Sequence, residues 1–344
     1  MIQLQGSPTA PQALDAPDYL VSTRVTTDAG EQANCLRGWS QQYEQLVPGT
    51  FEGRVTEICF DGLQLFREHT TLSIQESCQI QDDAFVIGVP VQMDGYSWCD
   101  GWEVDLDTLL MHKLGSESLL RTSNNLDLIA VTLSLQDLRD HAATVDGQDI
   151  SAALQRSGSA LRNGMLAREM RDFLVTMMAS LTATPSMLAH GAIRKALKEA
   201  VLGTAVSLIG NVGQESTGPR TSVGRQQIVA RAIDYMRTRI DEPISVGDLC
   251  AELGVSRRTL QYCFDETLQI NPLSYLKALR LNGVRKELRL SEPARVAVQD
   301  VAARWGFWHL SRFAQEYRHM FGELPSETLR ASPGEIGALL PERH

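Results

Sequence analysis

The chain has 344 residues, 43% of them hydrophobic and 22% charged, an ordinary globular balance with length for about two domains. That balance excludes wholesale disorder, and no apolar run approaches the ~18 residues that a membrane span needs. A net charge of −10 excludes a general nucleic-acid coat, which would be basic throughout. The charge is nevertheless uneven. Residues 225–332 carry 14 Arg and 2 Lys against 13 acidic side chains, whereas residues 1–224 carry 15 basic against 27 acidic ones. Arginine is the side chain best shaped for bidentate contacts to phosphate and guanine. The first residues, Met1 to Gly6, lack a basic segment followed by an apolar one, and the six cysteines form no CxxC pair. The expectation is a cytoplasmic chain with free thiols.

Strand signals come first along the chain. Gly53–Phe60, Leu63–His69, Leu72–Cys78, Ala84–Val91 and Leu126–Leu135 are alternating or β-branched, and Asp61-Gly62 marks a hairpin between the first two. They predict a small antiparallel, cupin-like barrel. Helical periodicity follows at Ile150–Arg162, Met165–Leu181 and Ser186–Leu208, from helices that either cover the barrel or supply a dimer seam. Residues 210–224 hold four glycines and a proline with no apolar periodicity, which predicts a flexible linker. The expected fold class is therefore α+β. Residues 1–209 form a barrel plus helices for sensing and dimerisation, 210–224 a linker, 225–331 an all-α DNA-binding domain and 332–344 a tail.

The most specific signal lies after the linker. Leu249 and Leu253 share a helix face, Ala251 is small where a second helix would approach, and Gly254 suits the left-handed residue of a tight turn. Ser256 is an N-cap for a second helix with Leu260 and Phe264 inward and Arg257, Arg258, Gln261 and Tyr262 outward. The same grammar recurs 52 residues later, with Val301, Ala303, Trp305, Gly306 and Phe307 followed by Phe313 and Tyr317 inward. There His309, Ser311, Arg312, Gln315 and Arg318 point outward, and Trp308 is read as core. Between the copies, Pro272 opens a helix running to about Leu290, a rod of ~25 Å. Two helix-turn-helix motifs on one such rod would reach adjacent major grooves, ~34 Å apart.

These residues resemble the DNA-binding domain of the AraC/XylS family of bacterial transcription regulators. The resemblance rests on Leu249 to Phe264, on Pro272-x-x-Tyr275-Leu276-x-x-x-Arg280-Leu281, and on Val301-Ala302-x-x-Trp305-Gly306-Phe307 through Phe321-Gly322-x-x-Pro325. The run Gly306 to Phe313 and the ending Gly322 to Leu329 look like the branch containing ethanolamine-operon regulators. The chain departs from the family pattern at Tyr262, where Arg is frequent, and at Thr328-Leu329-Arg330, where a Tyr-Arg pair is usual. The resemblance implies base contacts from Arg257, Arg258, Gln261 and Tyr262, and in the second motif from Leu310, Ser311, Arg312 and Gln315. It further implies an N-terminal effector-binding, dimerising half, a double-stranded DNA operator and RNA polymerase as partners, and activation of a catabolic operon.

For the effector, Tyr96, Trp98 and Trp102 with Asp100 form a candidate cage for an amine or amino alcohol, although a hairpin turn or core packing accounts for the same residues. No catalytic residue, metal or cofactor is expected. The seven histidines never fall two apart and only His69 and His112 lie in the predicted barrel, which argues against a cupin-type metalloenzyme fused to a DNA-binding domain. Effector-independent regulation, or a thiol switch among Cys59, Cys78, Cys99, Cys250 and Cys263, are the remaining alternatives.

Overall fold

The computed structural model describes residues 18–80, 84–112, 118–147, 149–156, 159–212 and 223–331. Most of the expected linker, 213–222, and the tail at 332–344 lie outside the described residues.

The N-terminal half contains β1 (Tyr19–Thr26), α1 (Ala29–Gln32), β2 (Trp39–Gln45), β3 (Gly53–Phe60), β4 (Leu63–Thr70), β5 (Ile74–Ile80) and β6 (Ala84–Asp94). The short strands β7 (Ser97–Cys99), β8 (Trp102–Val104), β9 (Thr108–His112) and β10 (Ser118–Arg121) precede the long β11 (Asn124–Ser134). After α2 (Leu135–His141) and α3 (Ser151–Arg156) comes a last strand, β12 (Ala160–Arg162), and then α4 (Gly164–Ala183) and α5 (Gly191–Val212). Two antiparallel sheets result, in the orders β1-β3-β4-β11-β6-β9-β12 and β2-β5-β10-β7-β8. Asp61 and Gly62 both take positive φ, as the predicted two-residue hairpin between β3 and β4 requires.

Period-two alternation gives the larger sheet two different faces. Leu65, Ile87, Val89, Ile129, Val131 and Leu133 pack under α2, α4 and α5, against Leu138, Met170, Leu174 and Val201 among others. These helices therefore cover the sheet. The intervening residues Phe66, Val86 and Ala130 turn the other way, toward Trp39 of the smaller sheet. The helix expected over Ile150–Arg162 is shorter than predicted: it ends at Arg156, and Ala160–Arg162 pairs with β9 instead. The edge of β9 offers backbone partners to Ala160–Arg162.

The C-terminal half is all helix: α6 (Val223–Thr238), α7 (Val246–Leu253), α8 (Arg257–Leu268), α9 (Pro272–Leu290), α10 (Val298–Arg304), α11 (Leu310–Phe321) and α12 (Pro325–Arg330). Capping explains the boundaries. Ser245 and Asp248 form a capping box on α7, Ser256 caps α8, and Asn271 caps α9 with Pro272 in its first turn. Leu249, Leu260, Phe264, Tyr275, Val284, Val301, Phe313 and Tyr317 share one core, which Leu46 of the sheet half also enters.

Candidate nucleic-acid interface

The two motifs are built on the same local chemistry. Gly254 closes α7 at φ +65°, and Gly306 follows α10 at φ +75°, the left-handed region in which glycine is unstrained. Each turn then feeds a twelve-residue helix, α8 or α11, whose inner face is buried and whose outer face is open. Ala251 does not serve a close helix approach as expected: it is exposed, and α7 packs through Leu249 and Leu253.

The rod between the motifs is held at its middle and toward its C-terminal end. Arg280 of α9 donates from Nε to the Ile240 carbonyl at 2.9 Å and bonds the Glu242 carbonyl, tying the segment before α7 to the rod. Trp305 donates its indole N–H to Glu287 at 2.7 Å, tying α10 to the far end. Its ring lies so close to Gly283 that a Cβ there would stand 2.0 Å from the indole. Where the family pattern would place a different pair, Thr328 is buried and shares a 2.8 Å hydrogen bond with Tyr317. With 19 residues, α9 is ~28 Å long, a little more than the sequence estimate.

All nine residues expected on the reading face are exposed: Arg257, Arg258, Gln261 and Tyr262 on α8, and His309, Ser311, Arg312, Gln315 and Arg318 on or beside α11. They differ in what they touch. Arg225 of α6 lies 4.8 Å over the Tyr262 ring and pairs with Glu266 at 3.2 Å, so the tyrosine carries a cation on its face. Arg312 pairs with Glu316 at 3.1 Å, and Lys277 reaches the same carboxylate at 3.4 Å. Arg257, Arg258 and Arg318 form no ion pair among the described residues. Trp308, read as core from sequence, is 67% exposed at the entry to α11. The error has a physical source. Phe307, one position earlier, packs on Phe313 with centroids 4.9 Å apart and fills the place that an inward Trp308 would take. Leu310, also exposed, opens α11, and its N-cap His309 makes no side-chain capping bond.

The expected aromatic cage takes another form. Tyr96 and Trp98 meet edge-on at 6.5 Å, but Arg121 already lies 5.3 Å over the Trp98 ring, where a ligand cation would sit. Cys99 pairs with Trp102 across the β7–β8 hairpin, and Asp100, at φ +48°, forms its turn with Gly101. The Asp100 carboxylate accepts from the Leu119 N–H at 2.9 Å and from Ser118 Oγ at 3.0 Å, so it secures β10. Among the described residues no group of three or more His, Cys, Asp and Glu is placed to hold a metal ion. Burial pushes the Cys78 and Cys99 thiols well up and the Cys59 thiol to about 12, which works against a reactive thiolate at any of them.

Two open helices on one rod, each preceded by a helix and a glycine turn, define a DNA-binding domain with paired helix-turn-helix motifs. Residues 249–331 match the family described as "Helix-turn-helix domain". With that match stands the resemblance of these residues to AraC/XylS-type DNA-binding domains. Over 106 residues the chain is 42% identical to a protein of Rhodococcus erythropolis named "Probable thc operon regulatory protein", covering 31% of this chain and 32% of that one. It is 31% identical over 106 residues to the "XylDLEGF operon transcriptional activator" of Pseudomonas putida, covering 31% and 33%. The matched segment spans about a third of the length of these curated relatives. The crystal structure of the AraC-like transcriptional activator CuxR is similar at 16% identity over 76% of this chain and 94% of that one, with a TM-score of 0.41. No helix of the described residues is long and apolar enough to cross a membrane.

Proposed function

We propose that this chain is a sequence-specific transcription regulator that reads two adjacent major grooves with α8 and α11 and regulates an operon in response to a small molecule. The observation that carries the reading is the pair of open helix faces, with Arg257, Arg258 and Arg318 in no ion pair among the described residues and therefore available to phosphate or guanine. The named relatives are operon regulators and activators, which supports activation as the mode and RNA polymerase as a partner. The N-terminal sheets would sense the effector, and a homodimer on a double-stranded operator is the assembly proposed. Cytoplasmic residence goes with that role. Residues 210–224 are proposed as the linker between residues 1–209 and the domain at 225–331, with 332–344 as a tail.

Contacts between the halves support coupling of sensing to DNA binding. Arg285 of α9 reaches Asp28, the N-cap of α1, at 2.5 Å, and Glu323 at 2.7 Å. Arg237 of α6 reaches Glu44 of β2 at 3.1 Å. A ligand that binds one arrangement of the halves better than another would shift the population toward it.

The test is selection of DNA sequences by the full chain, followed by binding measurements on the selected site. An asymmetric site with two separated elements is the expected result. If the outward faces of α8 and α11 can both be replaced by alanine with no loss of DNA affinity, the reading is wrong.

A further inference from the structure

A cavity of about 60 Å³ lies between the two sheets. Its walls include Trp39 and Phe66, whose rings meet edge-on at 5.3 Å, and the side chains of Gln41, Glu68, Glu76 and Cys78. Glu68 reaches it from β4 in the larger sheet and Glu76 from β5 in the smaller one, and both are buried. Their hydrogen bonds come from neutral donors. Gln32 Nε2 and the Tyr43 hydroxyl each donate to Glu68 at 3.0 Å, and Gln41 Nε2 donates to Glu76 at 3.0 Å. Among the described residues no lysine, arginine or histidine pairs with either carboxyl. Gln41 Oε1 is buried with no hydrogen-bond partner, which adds an unmatched acceptor at this wall.

A buried carboxylate without a cation is costly, and two beside one cavity are more so. A wall of acceptors and aromatic faces is complementary to a ligand that supplies N–H donors and one positive charge. Trp39 is set for that role, since its indole N–H is fixed on Gln64 at 2.9 Å. We infer that the cavity between the sheets binds a small organic ammonium ion, with Glu76 and Glu68 as its counter-charges and Trp39 as its aromatic wall. This inference rests on the sensing role proposed above and names the chemical class sensed. It replaces the Tyr96, Trp98, Asp100 and Trp102 cage, whose cation position Arg121 already fills.

Protons on the carboxyls stand where the ligand charge would go, because burial raises both carboxyls and Glu68 further raises Glu76. The other ionisable groups packed here are Tyr43, Cys78, Cys99 with Asp100 behind it, and Cys35 with Arg24 beside it. Burial pushes the tyrosine and the three thiols up, so they stay neutral while the carboxyls titrate. Binding of an ammonium ion therefore releases protons, and affinity increases with pH.

The experiment is thermal unfolding of the full chain with methylammonium or propylammonium chloride, against propanol and sodium chloride, at about pH 6 and about pH 9. The expected result is a concentration-dependent rise in Tm with an ammonium salt alone, larger at the higher pH. The Glu76→Gln variant, which keeps shape and removes charge, should lose at least about tenfold in affinity, equivalent to ~1.4 kcal/mol. Glu68→Gln provides the same comparison if the first variant fails to fold. No rise with either ammonium salt, an equal rise with propanol, or full binding by the folded variant overturns the inference. DNA affinity is measured on the same preparations: DNA binding without ammonium binding overturns this inference alone, and ammonium binding without DNA binding overturns the regulator reading alone.

Discussion

Gln45 at the end of β2 and Asn282 in the middle of α9 exchange two hydrogen bonds. The Gln45 N–H donates to Asn282 Oδ1 at 2.9 Å, and Asn282 Nδ2 donates to the Gln45 carbonyl at 3.0 Å. The end of a strand in the N-terminal half is thus paired with a side chain of the rod that joins the two helix-turn-helix motifs. Gln45 Nε2 and the Gly49 N–H also bond the Met320 carbonyl near the end of α11, at 2.9 and 3.0 Å. Asn282→Leu would leave the Gln45 groups unpaired, a cost of ~1–3 kcal/mol per buried group. Amide exchange at Gln45 and Gly49 should accelerate while the core around Leu260 and Phe264 stays protected. Unchanged exchange at Gln45 would show that this pair does not hold the halves together.

Arg285 offers a stronger test of the same contact. It is mostly buried between Asp28 and Glu323, with Phe321 4.7 Å from its guanidinium. Arg285→Ala strands the buried Asp28 carboxylate and should cost ~3–5 kcal/mol. Asp28→Asn in the same background should recover part of that loss. Urea denaturation of the wild type and the two variants measures both effects, and no recovery would mean that lost packing, not charge, dominates.

Gly283 is required by its neighbour. A methyl group there would collide with the Trp305 ring, so Gly283→Ala should cost ~1–3 kcal/mol through overpacking. Combining it with Trp305→Leu should cost less than the two single changes summed, because the ring is what the methyl meets. Strict additivity in thermal unfolding would count against that contact.

On the reading face, Arg258→Ala should weaken binding mainly to the preferred site, by ~1–3 kcal/mol. Arg318→Ala, if it removes a phosphate contact, should weaken binding on all sequences and lower the salt slope by about 1. Trp308→Ala should lower DNA affinity and leave Tm unchanged, because the ring is exposed. A drop in Tm without a change in affinity would return Trp308 to a packing role.

Stability should also depend on pH in a predictable direction. Burial raises the Glu68 carboxyl from an ordinary 4.5 to about 7 and Glu76 to about 8. The folded chain therefore binds these protons where the unfolded chain has lost them. Their contribution is complete below about 4.5 and disappears as pH rises through about 7 and 8. Tm should fall between about 4.5 and about 8 and level off above that, and Glu76→Gln should flatten the decline. A wild-type Tm that is flat or rises there would contradict the assignment.

Local chemistry made the DNA-binding domain legible. Leucine periodicity, the caps Ser256 and Asn271, and the turn glycines Gly254 and Gly306 all act within a few residues of where they stand. The Asp61-Gly62 hairpin was legible for the same reason. Trp308 was misread because a helix entry offers no period to assign its face. The short strands β7, β8, β9 and β10 were missed because three to five residues carry too little alternation.

The cavity was hidden for a different reason. Glu68 and Glu76 are only eight positions apart, yet they belong to different sheets and reach one space because β4 pairs with β3 and β11 while β5 pairs with β2 and β10. Gln45 and Asn282 are 237 positions apart, and nothing local to either indicates the other. By itself the sequence determined the class of the C-terminal domain and the outward faces of its helices, since those depend on helical period and capping. Only the tertiary structure decided which carboxyls share a cavity and which strand meets the rod, because strand pairing and domain docking bring together groups that chain order keeps apart.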